Sequence, residues 1–238
     1  MAKNLVIIPT YNEKENIGAL VEKIFELVPE TGVMIVDDNS PDGTAGIVEN
    51  LKQKFPGLSL IKRAGKNGLG AAYVAGFRKA LENGELKTIT MMDGDFSHDP
   101  KYLRGMLALS ENYDLVIGSR YTKGGDITKK WNIFRRFLSA AGNSYLKILF
   151  GKYRINDWTT GYNIINAELL KKIDFNNLNP KGYAFISSLK YYLFRAGAKT
   201  IEFPIFFEER GEGKSKMSLA IIIEGIISPW RILIKDFF

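Results

Sequence analysis

The stretch TITMMDGD, residues 88–95, is a short apolar run followed at once by two carboxylates. Two earlier stretches have the same form, LVIIPTYNE at residues 5–13 and VMIVDD at residues 33–38. Each joins the composition of a buried β-strand to polar residues at the point where the strand would end. The three stretches predict a sheet that presents polar side chains at the carboxyl ends of its strands.

Helical patterns separate the predicted strands. Apolar residues recur at helical spacing over Glu15–Val28, and helices are also predicted from Thr44 to about Phe55 and over Gly70–Leu81. Further strands are predicted at Leu58–Ile61 and Leu115–Ile117. This alternation predicts an α/β fold, a mostly parallel central sheet flanked by helices. Ligands bind such sheets beyond the carboxyl ends of the strands, where the polar residues fall.

The second half of the chain is less regular. A long amphipathic helix is predicted from Ile133 to Phe150, and another amphipathic stretch begins at Ser218. We therefore expect a main domain over residues 1–217 and a C-terminal amphipathic segment over residues 218–238. Two interpretations of that segment stay open, an interfacial helix at a membrane and a terminal helix packed on the sheet or on a partner chain.

The composition excludes several classes of protein. Of the 238 residues, 45% are hydrophobic and 25% charged, which is typical of a globular chain and excludes extensive disorder. Without cysteine and with one histidine, His98, the chain has no disulfide, thiolate metal site or polyhistidine zinc site. No signal peptide or transmembrane helix is predicted, since charges and Pro229 interrupt the longest apolar stretch. We expect a cytoplasmic protein, peripheral at the cytosolic face of a membrane.

Positive charge is concentrated in residues 120–154. That segment holds nine Lys or Arg and one Asp, a net charge of +8, whereas the whole chain carries +7. Aromatic and aliphatic residues are interleaved with the basic ones, a combination that suits an anionic interface such as a membrane or a nucleic acid. A solvated helix face is the other interpretation, and the segment alone does not separate the two.

The acidic pairs at the strand ends suggest specific chemistry. Asp93 and Asp95 follow a buried strand, and two such carboxylates can share Mg²⁺ or Mn²⁺ whose other ligands are phosphate oxygens. Asp38, after another strand, can accept hydrogen bonds from ribose hydroxyls or a base edge; helix capping or turn formation is the other interpretation of this aspartate. The first strand is followed by Pro-Thr-Tyr-Asn-Glu rather than by a dinucleotide-binding glycine motif, which argues against a dinucleotide fold.

Eight motifs that span Val6 to Met217 resemble, in this order, the polyprenol-phosphate glycosyltransferases and among them the dolichol-phosphate mannose synthases. They are VIIPTYNEKENI, VDDNSPDGT, KNGLGAAYVAGF, MDGDFSHDP, VIGSRY, RRFLSAAGN, DWTTGYNI and RGEGKSKM. The resemblance implies a GT-A fold, a Rossmann-like nucleotide-diphospho-sugar transferase, over residues 1–217. It also implies inverting transfer of mannose from GDP-mannose to the phosphate of dolichol or a related polyprenol, giving polyprenyl β-mannosyl phosphate and GDP.

The resemblance carries roles onto individual residues. Asp93, Asp95 and Arg210 would be catalytic, and Asp93, Asp95 and Ser97 would hold Mg²⁺ or Mn²⁺. Arg120, Arg135 and Ser139 would bind the acceptor phosphate. The nucleotide would contact Pro9, Tyr11, Glu13, Val36, Asp38, Asp93, Gly94, Asp95, Arg210 and Lys216.

The chemistry implied needs no general base, because the acceptor phosphate is already ionised. We therefore expect His98 to pack a loop. The expected partners are GDP-mannose, dolichyl or polyprenyl phosphate and a membrane surface, with no nucleic acid; a membrane-anchoring partner subunit stays open. The alternatives are a UDP-glucose-dependent polyprenyl-phosphate glucosyltransferase, a nucleotidyltransferase, and a basic membrane or nucleic-acid binding module.

Overall fold

The structure is a computed structural model that describes residues 2–128, 131, 133–151, 155–178, 182–208 and 219–237. Within these ranges the strands are β1 (Asn4–Thr10), β2 (Gly32–Asp37), β3 (Leu58–Lys62), β4 (Thr88–Met91), β5 (Leu115–Ser119), β6 (Asp126–Ile127), β7 (Asn163–Asn166), β8 (Thr200–Pro204) and β9 (Phe206–Phe207). The α-helices are α1 (Lys14–Leu27), α2 (Thr44–Leu51), α3 (Leu69–Leu81), α4 (Leu103–Leu109), α5 (Ile133–Leu149), α6 (Ala167–Leu170), α7 (Gly182–Arg195) and α8 (Leu219–Phe237).

Seven strands form the central sheet in the order β3-β2-β1-β4-β7-β5-β8. Neighbouring strands are parallel, except that β7 runs antiparallel to both β4 and β5. The predicted mostly parallel sheet is therefore confirmed. The apolar run over residues 201–207 divides at Pro204, since β8 joins the main sheet and β9 pairs with β6 in a small parallel ribbon. β2, β1 and β4 are adjacent, so the polar residues at their carboxyl ends meet at one edge.

Hydrophobic clusters cover both faces of the sheet. Alternate residues of β1 point to opposite faces, so Ile7 belongs to the cluster with α3 and α7, and Val6 and Ile8 belong to the cluster with α1 and α4. All three side chains are fully buried. Burying such a side chain stabilises the fold by about 1.5–3 kcal/mol, so the two clusters hold the strand ends in place.

Helix α8 packs against α7 and α5 through one face. Ile232 is buried there, and the Tyr145 hydroxyl of α5 donates a hydrogen bond of 2.7 Å to the Ile226 carbonyl of α8. The other face exposes apolar side chains, Ile223, Ile226, Ile227, Trp230 and Ile234. The C-terminal segment thus combines a packed face with an exposed apolar face. In the part of the chain that is described, no helix is both long and apolar enough to span a membrane.

Candidate active site

The loops that follow β1, β2 and β4 share a rare backbone conformation. Asn12, Asn39 and Phe96 all have positive φ angles, of 61°, 57° and 61°. Asparagine tolerates this left-handed region, whereas phenylalanine does so at a cost in free energy. Such strain is often found at functional sites, and here it occurs in each of the three loops where polar residues were predicted to converge.

Asp37 holds two of these loops together. Its buried carboxylate accepts hydrogen bonds from the Thr10 hydroxyl at 2.8 Å and from the Ser40 hydroxyl and amide at 2.6 and 2.9 Å. The same Ser40 hydroxyl accepts a hydrogen bond from the Asn12 amide. With its acceptors occupied by the protein, Asp37 organises the edge of the sheet.

Asp38 forms an ion pair with Arg63, which follows β3. The Asp38 carboxylate also accepts a hydrogen bond of 3.3 Å from the Asn67 amide, so the loop after β3 is tied to the loop after β2. Sequence analysis missed Arg63. Its position at the end of a parallel strand was the available signal, because that end lies at the same edge as Asp38.

Five more of the residues predicted to contact the nucleotide lie along the same edge: Pro9, Tyr11, Glu13, Val36 and Gly94. Pro9 and Val36 are register partners in the β1–β2 pair. The ammonium of Lys66 lies over the Tyr11 ring, 3.9 Å from its centroid. Gly94 is packed against β1 and its loop, since a Cβ added to it would lie 3.4 Å from Cγ of Glu13. The structure therefore brings these residues together.

The two acidic residues after β4 differ in environment. The Asp93 side chain is 28% exposed, whereas Asp95 is buried and its Oδ1 accepts hydrogen bonds from the Ser97 amide at 3.1 Å and hydroxyl at 2.6 Å. Ser97 therefore orients Asp95. Its predicted role as a metal ligand stays a prediction.

His98 is fully buried beside this pair. Its Nδ1 accepts a hydrogen bond of 3.0 Å from the Asp93 amide, and its ring stacks on Tyr162. Burial lowers the pKa of His98 against the attraction of Asp93 and Asp95, so the imidazole is neutral. A ring held in this way packs the loop, as expected from the sequence, and its Nδ1 lone pair is occupied.

The residues after β4 fit a hard divalent cation. Two carboxylates suit Mg²⁺ or Mn²⁺ when phosphate oxygens and water complete the coordination. Within the described ranges there is no group of three or more His, Cys, Asp or Glu able to hold a metal by itself. Arg210 and Lys216, predicted to hold the donor diphosphate, lie outside the described residues.

Arg120 lies at the end of β5 and is anchored by Asp157. Its Nε and Nη2 donate to the two carboxylate oxygens of Asp157 at 2.8 and 2.7 Å, and Nη2 also donates to the Thr159 hydroxyl at 2.7 Å. Burial alone would raise the pKa of Asp157, but the Arg120 charge and its hydrogen bonds outweigh this and lower it. Asp157 stands in the motif DWTTGYNI, yet sequence analysis assigned it no role.

A buried lysine supports the same loop. Lys190 of α7 is 1% exposed, and its ammonium donates to the carbonyls of Asp157 at 2.8 Å and Thr160 at 3.1 Å. Burial lowers the pKa of Lys190 to about 7, against the attraction of Asp157 and Glu202. Nothing in the local sequence predicts this, because Lys190 stands within an apolar helical pattern.

Helix α5 carries Arg135 and Ser139 on one face. The Arg135 guanidinium stacks on the Trp131 ring at 3.8 Å from its centroid. The Ser139 hydroxyl accepts a hydrogen bond of 2.8 Å from the Tyr121 hydroxyl. Trp131 in turn meets Phe207 edge to face at 5.6 Å, and Phe207 also meets His98 at 5.8 Å. These rings connect the acceptor residues predicted on α5 with the loop that carries Asp93.

A cavity of about 430 Å³ opens between α5, α7 and α8. The three residues predicted to bind the acceptor phosphate, Arg120, Arg135 and Ser139, all line it, together with Trp131 and Thr159. Its other walls include Leu138, Ala141, Leu146, Ala184 and Ile226. The cavity therefore combines cationic and hydroxyl groups with apolar helix faces, an arrangement that suits an amphiphilic anion.

Comparison with known sequences gives consistent matches. The chain matches Glycosyl transferase family 2 over residues 5–174. It is 39% identical over 227 residues to an undecaprenyl-phosphate mannosyltransferase of Micrococcus luteus, covering 95% of this chain and 92% of the relative. It is 40% identical over 234 residues to a polyprenol monophosphomannose synthase of Mycolicibacterium smegmatis, covering 97% and 87%. A dolichol-phosphate mannosyltransferase of Pyrococcus furiosus is 31% identical over 236 residues, covering 96% and 63%.

Solved structures share the fold. A mannosyltransferase of Pyrobaculum calidifontis in complex with GDP-Man and Mn²⁺ has a TM-score of 0.66 at 19% identity, covering 98% of this chain and 64% of that one. A glucosyl-3-phosphoglycerate synthase of Mycobacterium tuberculosis, in complex with Mn²⁺, UDP and phosphoglyceric acid, has a TM-score of 0.68 at 16% identity, covering 96% and 78%. At these identities the likeness concerns the fold alone.

Proposed function

The chain belongs to glycosyl transferase family 2 and has the GT-A fold, and from that premise we propose that it transfers mannose from GDP-mannose to the phosphate of a polyprenol. The products are polyprenyl β-mannosyl phosphate and GDP. The observation that carries the proposal is the cavity between α5, α7 and α8, which joins apolar walls to Arg120, Arg135 and Ser139. Polyprenyl phosphate has the same two parts, an isoprenoid chain and a dianionic head.

The donor half of the site is formed by the ends of β1, β2 and β4. Asp38, held by Arg63, supplies carboxylate oxygens near the base and ribose. Asp93 and Asp95 would hold Mg²⁺ or Mn²⁺, which would supply positive charge for the leaving diphosphate. Asp95 is kept in place by Ser97, so this carboxylate is oriented before the cation arrives. We assign Arg210 and Lys216 to the same diphosphate.

The acceptor half neutralises a second anion. Arg135 and Ser139 are one helical turn apart on α5, so both reach one side of the cavity. Arg120, paired with Asp157, is held rigidly at the same cavity. A phosphate monoester carries roughly −1.5 to −2 charges near neutral pH, and bringing it close to a diphosphate requires cations on both sides.

The transfer is an in-line displacement. An oxygen of the acceptor phosphate attacks the anomeric carbon while the bond from that carbon to the diphosphate breaks, and the electron pair of that bond leaves with GDP. The configuration at the anomeric carbon is inverted. No proton has to be removed from the ionised acceptor, which agrees with a His98 whose Nδ1 is occupied. The protein contributes position and charge neutralisation.

The acceptor's location in a bilayer requires contact with a membrane. Helix α5 exposes Ile133, Phe134, Phe137 and Ile148, and α8 exposes Trp230 among other apolar side chains. We assign these faces to the cytosolic surface of a membrane, beside the mouth of the acceptor cavity. Residues 1–217 then form the catalytic domain, and residues 218–238 add a contact with lipid. A membrane-anchoring subunit is the alternative to lipid as the partner that covers this face.

Vesicle flotation of wild type and a Phe134→Ser, Phe137→Ser double variant separates the two occupants. Wild type alone is expected to float with vesicles that contain anionic lipid, and the double variant is expected to remain in the dense fraction. If the two proteins float equally, lipid does not cover this face.

Transfer itself is tested with labelled GDP-mannose and labelled UDP-glucose in parallel, each with undecaprenyl phosphate in detergent and with Mg²⁺ or Mn²⁺. We expect labelled lipid from GDP-mannose, lost on addition of a chelator. Labelled lipid from UDP-glucose alone would support polyprenyl phosphate as the acceptor and would show that the transferred sugar is glucose rather than mannose. Labelled lipid from neither donor, with folded protein, would contradict the proposal.

A further inference from the structure

Trp131 carries a buried donor for which the described residues provide no hydrogen-bond acceptor. The side chain is 7% exposed, and in the described structure its Nε1 has no hydrogen-bond acceptor. Most buried side-chain donors in proteins are paired, because an unpaired one loses its bond to water without a replacement. The exception therefore indicates a site where an acceptor arrives from outside the protein.

The position of the ring identifies that acceptor by its chemistry. Trp131 lines the same cavity as Arg120, Arg135 and Ser139. Its face supports the Arg135 guanidinium at 3.8 Å, and its ring meets Phe207 edge to face. The indole is thus held between Arg135 and Phe207 at the wall of a cavity that two guanidinium groups line, and a phosphate oxygen is the acceptor that those cations would bring beside it.

We infer that the Trp131 indole N–H donates a hydrogen bond to the phosphate of the lipid acceptor, while the ring face positions Arg135. The inference rests on the proposed function, since it concerns the same acceptor. The Trp131 N–H would add a neutral, directional donor to the charged and hydroxyl groups of Arg120, Arg135 and Ser139 at this cavity. A neutral donor of this kind contributes orientation, because an N–H must point at the oxygen whereas charge acts in every direction.

The two roles of Trp131 are separable by substitution. Trp131→Phe retains an aromatic ring to stack with Arg135 and Phe207 but removes the N–H. If the inference holds, this variant raises the KM for polyprenyl phosphate about tenfold to a hundredfold. The KM for the sugar nucleotide stays unchanged, because Trp131 does not line the donor half.

Indole N–H resonances provide a readout that does not depend on activity. The chain has three tryptophans, so a ¹H–¹⁵N spectrum of the full-length protein contains three indole signals, and Trp131→Phe identifies one of them. Wild type is titrated with a short-chain isoprenyl phosphate. The corresponding isoprenol, which lacks the phosphate, is the control ligand. A hydrogen bond to phosphate moves the Trp131 proton downfield with the phosphate ester and leaves it nearly unmoved with the alcohol. The signals of Trp158 and Trp230 serve as internal controls.

The outcomes separate this inference from the proposed function. Lipid product together with an unmoved Trp131 signal and an unchanged acceptor KM in Trp131→Phe would overturn the inference and leave the function in place. Absence of both lipid product and any spectral change with the phosphate ester would overturn both. If Trp131→Phe does not fold, Trp158→Phe and Trp230→Phe together identify the other two signals and so assign Trp131 by elimination, and the wild-type titration decides.

Discussion

Arg120 and Asp157 form a bidentate ion pair in which the side chains are 7% and 0% exposed. The pair joins the end of β5 to the loop that precedes β7, and the Asp157 carboxylate also accepts from the Arg120 amide at 3.0 Å. Arg120 is therefore held by its main chain and its side chain at once. A guanidinium restrained in this way reaches the cavity with little conformational entropy left to lose.

Asp157→Asn is expected to destabilise the protein strongly. The substitution leaves the buried Arg120 charge without its counter-ion, which costs about 3–5 kcal/mol. Asp126→Asn is the matched control, since Asp126 is exposed and lies 3.9 Å from Arg136, a pair worth less than about 1 kcal/mol. Urea denaturation of both variants measures the difference, and equal losses would contradict a special role for Asp157.

Lys190 is expected to make stability depend on pH. The pKa of Lys190 is about 7 in the folded protein, whereas that of a fully solvated lysine is 10.5, so between these values the unfolded chain binds an extra proton. Raising the pH from 7 towards 9 therefore increases the free energy of unfolding by about 1 kcal/mol per pH unit, and below pH 7 this contribution is at its minimum. Lys190→Met removes the slope. Denaturation of both proteins at pH 7, 8 and 9 checks this, and parallel curves would show that Lys190 does not titrate there.

Arg135→Ala is expected to lower kcat/KM for the acceptor by at least about a hundredfold, because a charge-assisted contact to phosphate is lost. The affinity for the donor nucleotide should remain nearly unchanged. The neighbouring Arg136 is 43% exposed and provides the matched control, Arg136→Ala, with less than about a twofold effect. Steady-state kinetics and nucleotide titration separate the two sites. If Arg135→Ala also lost nucleotide binding, the assignment of Arg135 to the acceptor site would be wrong.

Ser97→Ala tests how Asp95 is held. The variant loses the 2.6 Å hydrogen bond to the carboxylate and should weaken Mn²⁺ binding about tenfold, as is usual when a residue that orients a metal ligand is removed. Ser97→Thr retains the hydroxyl and should bind nearly as well as wild type. Titration of Mn²⁺ in the presence of nucleotide, followed by electron paramagnetic resonance, measures the affinity. Equal affinity in Ser97→Ala and wild type would contradict the orienting role.

Gly76→Ala is expected to destabilise the fold by about 1–3 kcal/mol, because an added Cβ would lie 2.8 Å from Cγ2 of Ile7. Helix α3 needs a glycine there to lie close to β1. Gly46→Ala in α2 is the opposite case, since its Cβ would meet no atom within 4 Å, and it should stabilise the protein by about 0.5–1 kcal/mol. Thermal unfolding of both variants measures these changes.

Much of the fold was predictable because its signals are local. Alternation of apolar and helical patterns predicted β1, β2 and β4 and the helices between them, and these elements formed within a few residues of the predicted bounds. The antiparallel direction of β7 was not predicted, since a strand of four residues with only two isoleucines carries no information about its direction. The position after a buried strand singled out the acidic pair, the resemblance assigned the acceptor residues, and the structure brings Arg120, Arg135 and Ser139 to one cavity.

By itself the sequence determined the alternating α/β architecture, the polar strand ends and the types of side chain available to hold a cation and two anions. Periodicity and strand-end chemistry are properties of neighbouring residues, so they can be read along the chain. Only the tertiary structure decided which charges pair. Asp38 meets Arg63 across 25 residues, Arg120 meets Asp157 across 37, and the Lys190 ammonium reaches the Asp157 carbonyl across 33. Such pairs depend on which strand lies beside which, and that arrangement follows from packing the whole core.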